Sequence, residues 1–210
     1  MERPIPPHGR TSTGAGLHVA VALFPGAEEL DWAGPWEVLS YWADRYPDDH
    51  VRVFTVARTA GPVTCAHGLR VMPQHTWTDA PRMDVLIYPG GRGTRAQLWD
   101  DATLSWLRSI AGRGVLMASV CTGALVFAAA GLLDDRRATT HHDALAELAS
   151  LGGGVQVRGD ERFVDDGDVV TAAGVSAGID MALHLVARLH SVERAREVRR
   201  PIEYDPEPPA

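Results

Sequence analysis

Two cysteines occur in this 210-residue chain, Cys65 and Cys121, and only one has the surroundings of a nucleophile. Cys121 ends the apolar run Gly114–Val120 and is followed at once by Thr122, Gly123 and Ala124. A cysteine where a buried strand turns into a helix has the outline of a nucleophile elbow, although the sequence is not G-x-S-x-G. The helix start would stabilise a thiolate and lower its pKa, and the small neighbours leave room for turn and substrate. The competing reading is an inert core thiol. Gly90-Gly91 follows the apolar run Asp84–Tyr88. Its N–H groups, with that of Thr122, could stabilise developing negative charge, or the pair is simply a tight turn. In Glu28-Glu29-Leu30-Asp31, one carboxylate could reach Cys121, share a proton with it and act as a general acid. The same acids also suit a solvated helix N-terminus. His141 and His142 are candidates for a Cys–His dyad. Adjacent histidines seldom point the same way, and the chain has no H-E-x-x-H, C-x-x-C or calcium-loop pattern. No metal and no cofactor are assigned. Cys65, in a polar hairpin-like stretch, reads as non-catalytic, and Arg194, Arg196, Arg199 and Arg200 as a solvated helix end.

The elements that must position these residues follow from hydrophobic spacing. Strands are predicted at Leu17–Phe24, Val51–Ala57, Asp84–Tyr88 and Gly114–Val120. Arg137–Thr140, Val155–Val157, Arg162–Val164 and Val169–Ala172 read as shorter extended pieces, and a hairpin is expected around His67-Gly68. Helices are predicted over Leu30–Asp44, with Gly34-Pro35 near its start, and over Asp101–Gly112, Thr122–Gly131 and Asp143–Leu151. The last, Ala177–Arg199, carries an inward stripe of Ile179, Leu183, Val186 and Leu189. Strands alternating with helices imply a mostly parallel sheet covered on both faces, with the site beyond the strands' carboxyl ends.

Composition narrows the chemistry. All 20 Lys+Arg residues are arginine, and asparagine is absent. Imine catalysis, a P-loop lysine and a Cys–His–Asn triad are therefore excluded. A net charge of -7 argues against a nucleic-acid partner. Hydrophobic residues at 45% and charged ones at 22% are ordinary for a soluble domain. No apolar run approaches the ~18 residues of a membrane span, and two cysteines fit a reducing cytoplasm. The expected organisation is a disordered lead-in over 1–16, one α/β domain over 17–200 and a loose Pro/Glu-rich tail over 201–210.

With those residues in view, the sequence resembles the PfpI/ThiJ superfamily. The resemblance rests on Gly26–Asp31, Tyr88–Gly91, Ser119–Ala124, Ala138–His141 and Thr171–Asp180. It implies a flavodoxin-like three-layer sandwich, like that of class I glutamine amidotransferases. Asp31 with Cys121-Thr122 is similar to the isonitrile hydratase branch and to related domains of AraC-type regulators. Proteases of the superfamily have His where Thr122 stands, and glyoxalase-like members have Glu where Asp31 stands. The regulators add a helix-turn-helix region, which is not expected here. His142 stands where such hydratases often have Trp. The resemblance implies a cofactor-free hydro-lyase and a homodimer acting on a small molecule. Cys121 would add to an isonitrile carbon, Asp31 would serve as acid and then base, and Thr122 would guide water. Gly90, Gly91, Thr122, His141 and His142 would line the substrate site. A glyoxalase-like enzyme using His141 and a cysteine redox sensor are the alternatives.

Overall fold

The computed structural model describes residues 16–151 and 153–205. Apart from Gly16, the expected lead-in lies outside the described residues, as do residues 206–210. The elements in chain order are β1 Leu17–Leu23, α1 Glu29–Arg45, β2 Val51–Ala57, β3 Val63–Thr64, β4 Arg70–Val71, β5 His75–Thr76, β6 Val85–Tyr88, α2 Thr94–Gln97 and α3 Asp101–Ala111. They continue as β7 Leu116–Val120, α4 Gly123–Ala129, β8 Arg137–Ala138, α5 Leu145–Leu151, β9 Gln156–Val157, β10 Phe163–Asp165, β11 Val169–Ala172, α6 Ala177–Leu189 and α7 Val192–Arg199.

Seven strands form one sheet in the order β10-β11-β7-β6-β1-β2-β5. Every neighbouring pair is parallel except β10 with β11. All of β6, β7 and β11 is buried, as continuous apolar runs require when helices cover both faces. α1, α6 and α7 pack together, while α2, α3 and α5 gather around α4. This is the flavodoxin-like α/β sandwich. The chain leaves β1 for β2 on one side and returns to β6 on the other. The crevice beyond the ends of β1 and β6 is therefore the switch point at which such sheets bind ligands. Two small sheets, the antiparallel hairpin β3–β4 and the parallel pair β8–β9, stand outside the main one. No helix among the described residues is long and apolar enough to cross a membrane.

Several expectations are corrected. The single last helix is two, because the chain breaks at His190-Ser191 and the Ser191 hydroxyl caps α7 by accepting the Arg194 N–H. The buried face of α6 is Gly178, Met181, Ala182, Leu185 and Val186, with Ile179, Leu183 and Leu189 at its margins. Pro35 lies inside α1 rather than at its start, because the helix already begins at Glu29. Its ring stands against Gly178 of α6, where a Cβ would approach it to 3.2 Å. Arg194 is not solvated: it pairs with Asp49 at 2.7 Å and lies 3.6 Å from the centre of the Tyr46 ring. The first residues of the stretch expected to be loose are held, as Tyr204 donates from its hydroxyl to Asp180 at 3.1 Å. The short elements β5 and α2 were not anticipated.

Candidate active site

Cys121 occupies the turn between β7 and α4 with φ +56°, a left-handed conformation that costs a side-chain-bearing residue about 1–2 kcal/mol. The fold holds it there from both sides. Its N–H is shared between the carbonyls of Ala172, the last residue of β11, and Ala173 just after it, at 3.1 and 3.0 Å. Its carbonyl accepts the Thr140 hydroxyl at 2.7 Å. Gly123 permits the approach of β6, since a Cβ there would stand 2.6 Å from the Tyr88 carbonyl oxygen. The nucleophile-elbow outline read from the sequence is thus a real backbone feature.

Of the three acids after β1, Asp31 is the one brought to Cys121. It is completely buried on the first turn of α1. Its Oδ2 accepts the Gly90 N–H at 2.9 Å, its Oδ1 is buried without a hydrogen-bond partner, and the Cys121 thiol is the side chain that lowers the carboxyl's pKa from beside it. Burial raises its pKa to about 7, with nearby Glu28 adding to the effect and the Gly90 bond opposing it. Glu28 and Glu29 instead tie down the β3–β4 hairpin. Glu28 bonds the His67 ring at 3.1 Å, and Glu29 accepts the His67 N–H at 2.8 Å.

Gly90 is clamped between the two groups. A Cβ there would lie 2.5 Å from the Thr122 nitrogen and 2.9 Å from Asp31 Oδ2. Gly90 and Gly91 were expected to turn their N–H groups toward substrate, and this is corrected. The Gly90 N–H is held by Asp31, and the Gly91 N–H donates to the Thr122 hydroxyl oxygen at 3.0 Å. The donors that face the sulfur are the N–H groups of Thr122 and Val175 and the Thr122 hydroxyl. Val175, just before α6, has φ +40°. Its role was missed because only the fold carries it to β7.

The expected lowering of the Cys121 pKa is also corrected. Burial and the Asp31 charge push the thiol up to about 11, outweighing the N–H groups of Thr122 and Val175 and the Thr122 hydroxyl. Around neutral pH the pair therefore holds a thiol beside a half-protonated carboxyl.

His141 packs its ring on Gly174, where a Cβ would stand 2.6 Å from it, and its Nδ1 accepts the Asp143 N–H at 3.2 Å. Neither histidine is among the groups that shift the Cys121 thiol. The expectation that the two rings diverge is wrong, as their centres lie 4.2 Å apart. Together with Asp143 they bring ligand-type atoms within 4.8 Å of one another. His142 and Asp143 are solvent-exposed and the His141 Nδ1 lone pair is already used, so the cluster lacks the preformed character of a metal site.

The geometry has clear relatives. The DJ-1/PfpI family profile matches residues 17–188. Isonitrile hydratase of Pseudomonas putida is 41% identical over 196 residues, spanning 92% of this chain and 81% of that protein. The HTH-type transcriptional regulator CdhR of Pseudomonas aeruginosa is 32% identical over 84% of this chain, which matches 52% of that longer protein. Among solved structures, a ThiJ/PfpI family protein from Pseudomonas syringae superimposes with a TM-score of 0.83 at 32% identity, covering 100% of this chain and 84% of that one.

Proposed function

The chain belongs to the DJ-1/PfpI family, and from that premise we propose that it is a cofactor-free hydratase that converts isonitriles to N-substituted formamides. The observation that carries the proposal is the buried Asp31 carboxyl, raised to about 7, facing the Cys121 thiol on a strained elbow. A general acid works best with a pKa near the operating pH, and an isonitrile needs a proton on the same carbon that a nucleophile attacks.

In the proposed cycle Asp31 takes the Cys121 thiol proton as the sulfur adds to the terminal carbon, and delivers a proton to that carbon. The product is a thioimidate. Asp31, again a carboxylate, accepts a proton from water, whose hydroxide adds to the same carbon while the nitrogen gains the proton. Collapse of this adduct breaks the C–S bond, releases the formamide and returns a proton to Cys121. Atoms balance as isonitrile plus water. The N–H groups of Thr122 and Val175 hold the sulfur while it is anionic. The Thr122 hydroxyl, whose oxygen accepts the Gly91 N–H, is assigned the role of steering the water.

Product analysis tests this reading. Cyclohexyl isocyanide should yield the formamide at a rate that depends on Cys121. Lactate from methylglyoxal without any formamide would overturn the proposal in favour of the glyoxalase-like route, and selective peroxide modification of Cys121 without either product would favour a sensor. The engagement of His141 Nδ1 by the Asp143 N–H weighs against the glyoxalase route, which needs that ring to move protons. Two free, buried cysteines support placement in a reducing compartment.

A further inference from the structure

A second cavity, of about 540 Å³, opens beyond the carboxyl ends of β1 and β2 and is roofed by α2 and the start of α3. None of Asp31, Gly90, Gly91, Cys121, Thr122 or His141 lines it. Its size falls within the ~300–1,000 Å³ of small-molecule sites, and its walls are mostly apolar. Leu23 and Phe24 come from the end of β1, Val63 from β3 and Ala96 from α2. Phe24 is stacked on Tyr88 at 5.3 Å, and Trp77 on Trp106 at 4.4 Å, so the aromatic surfaces are fixed before any ligand arrives.

The polar groups in this wall are unevenly matched. Arg58 holds its guanidinium 5.6 Å from the centre of the Trp77 ring and uses one nitrogen on Asp100. Asp100 does not depend on Arg58, because it caps α3 and accepts both the N–H and the hydroxyl of Thr103. The pair is half-exposed, so redirecting Arg58 costs little. Gln97 gives its Oε1 to the Tyr88 hydroxyl, leaving its amide N–H groups to bond something else. The cavity therefore offers a cation and an amide donor over an aromatic floor, and its one carboxylate is already satisfied. We propose that this cavity is a second small-molecule site, for a compound with an aryl body and a single anionic acceptor such as a carboxylate. Aryl stacking and apolar contact supply affinity, and Arg58 with Gln97 selects the charge.

The test is isothermal titration of the full chain with 1-naphthoate and, as the neutral counterpart, 1-naphthalenemethanol. Naphthoate should bind saturably at one site per chain. Arg58→Gln, a change at an exposed side chain, should weaken naphthoate about tenfold while leaving the alcohol within about twofold. Ala96→Leu, which adds bulk inside the cavity, should abolish binding of both. Absence of saturable binding at millimolar naphthoate would overturn the proposal, and so would an unchanged naphthoate affinity in Arg58→Gln. Competition between naphthoate and N-cyclohexylformamide would place the probe at Cys121 and equally overturn it. None of these readings depends on turnover, so they stand or fall apart from the hydratase proposal.

Discussion

Cys65 and Cys121 share more than a residue type. Both are free and buried, and burial pushes both thiols above the ordinary cysteine range. The difference lies in what surrounds the sulfur. Cys65 sits in the hairpin loop, its N–H bonded to Leu69 and its carbonyl to Gly68, and its nearest charges are Glu28 and Glu29. Cys121 sits on a left-handed turn with a buried acid of pKa about 7 on one side and two N–H groups on the other. Burial protects a thiol. Burial beside an acid and two N–H groups is what the proposed addition chemistry would use.

The most direct way to break this contrast is to remove each sulfur in turn. Cys121→Ala should lower formamide production by about a thousandfold or more, whereas Cys65→Ala should leave it within about twofold. Comparable losses in both variants would end the distinction. Asp31→Asn should lower turnover by about a hundredfold or more, measured as kcat with saturating isonitrile. For the unaltered chain, the single-proton state of the pair exists between about pH 7 and about pH 11. Accordingly kcat/KM should climb as pH rises through about 7, and the asparagine variant should lose that limb.

The same variant sharpens the contrast in stability. Asp31 binds its proton more tightly folded than unfolded, so it favours the folded state at low pH and penalises it increasingly from about pH 4 to about pH 7. Above pH 7 the unmodified chain carries a cost of up to about 4 kcal/mol from this one group. Asp31→Asn should recover part of it, seen as a higher denaturation midpoint at pH 8 and a flatter pH dependence. Alkylation by iodoacetamide gives a smaller, signed effect. Removing the Asp31 charge should move the Cys121 pH profile downward and leave Cys65 unchanged. The smallest effect is conformational. Cys121→Gly should be about 1 kcal/mol more stable than Cys121→Ala, because glycine accepts the positive φ without penalty.

The sequence made one half of this site readable. Cys121 declares itself through the abrupt strand-to-helix change and Gly90 through its place after an apolar strand, whereas the place after β1 offers Glu28, Glu29 and Asp31 alike, and the family resemblance singles out Asp31. What binds them was not readable, because it is made by tertiary approach. Thr140 reaches the Cys121 carbonyl across a loop, and Val175 arrives only once β11 pairs with β7. The direction of the Cys121 shift was misread for a related reason. A helix start is a local, visible signal, whereas desolvation depends on everything packed around the sulfur. The fold was legible through its buried parallel strands, but the break at His190-Ser191 was passed over although Ser191 is a good helix cap. The two-residue β5 has too few positions to show alternation.

The elbow's anchorage carries a consequence for synthesis. The N–H of Cys121 is held by carbonyls at the end of β11 and just beyond it, and Val175 follows them, so these partners are among the later parts of the domain to be translated. Asp31, Gly90 and the thiol itself emerge earlier. Until those partners have been made, Cys121 lacks the hydrogen bonds that hold its turn in the folded chain. The strained turn at Cys121 is therefore completed only when β11 docks beside β7, which ties the geometry of the elbow to the completion of the sheet.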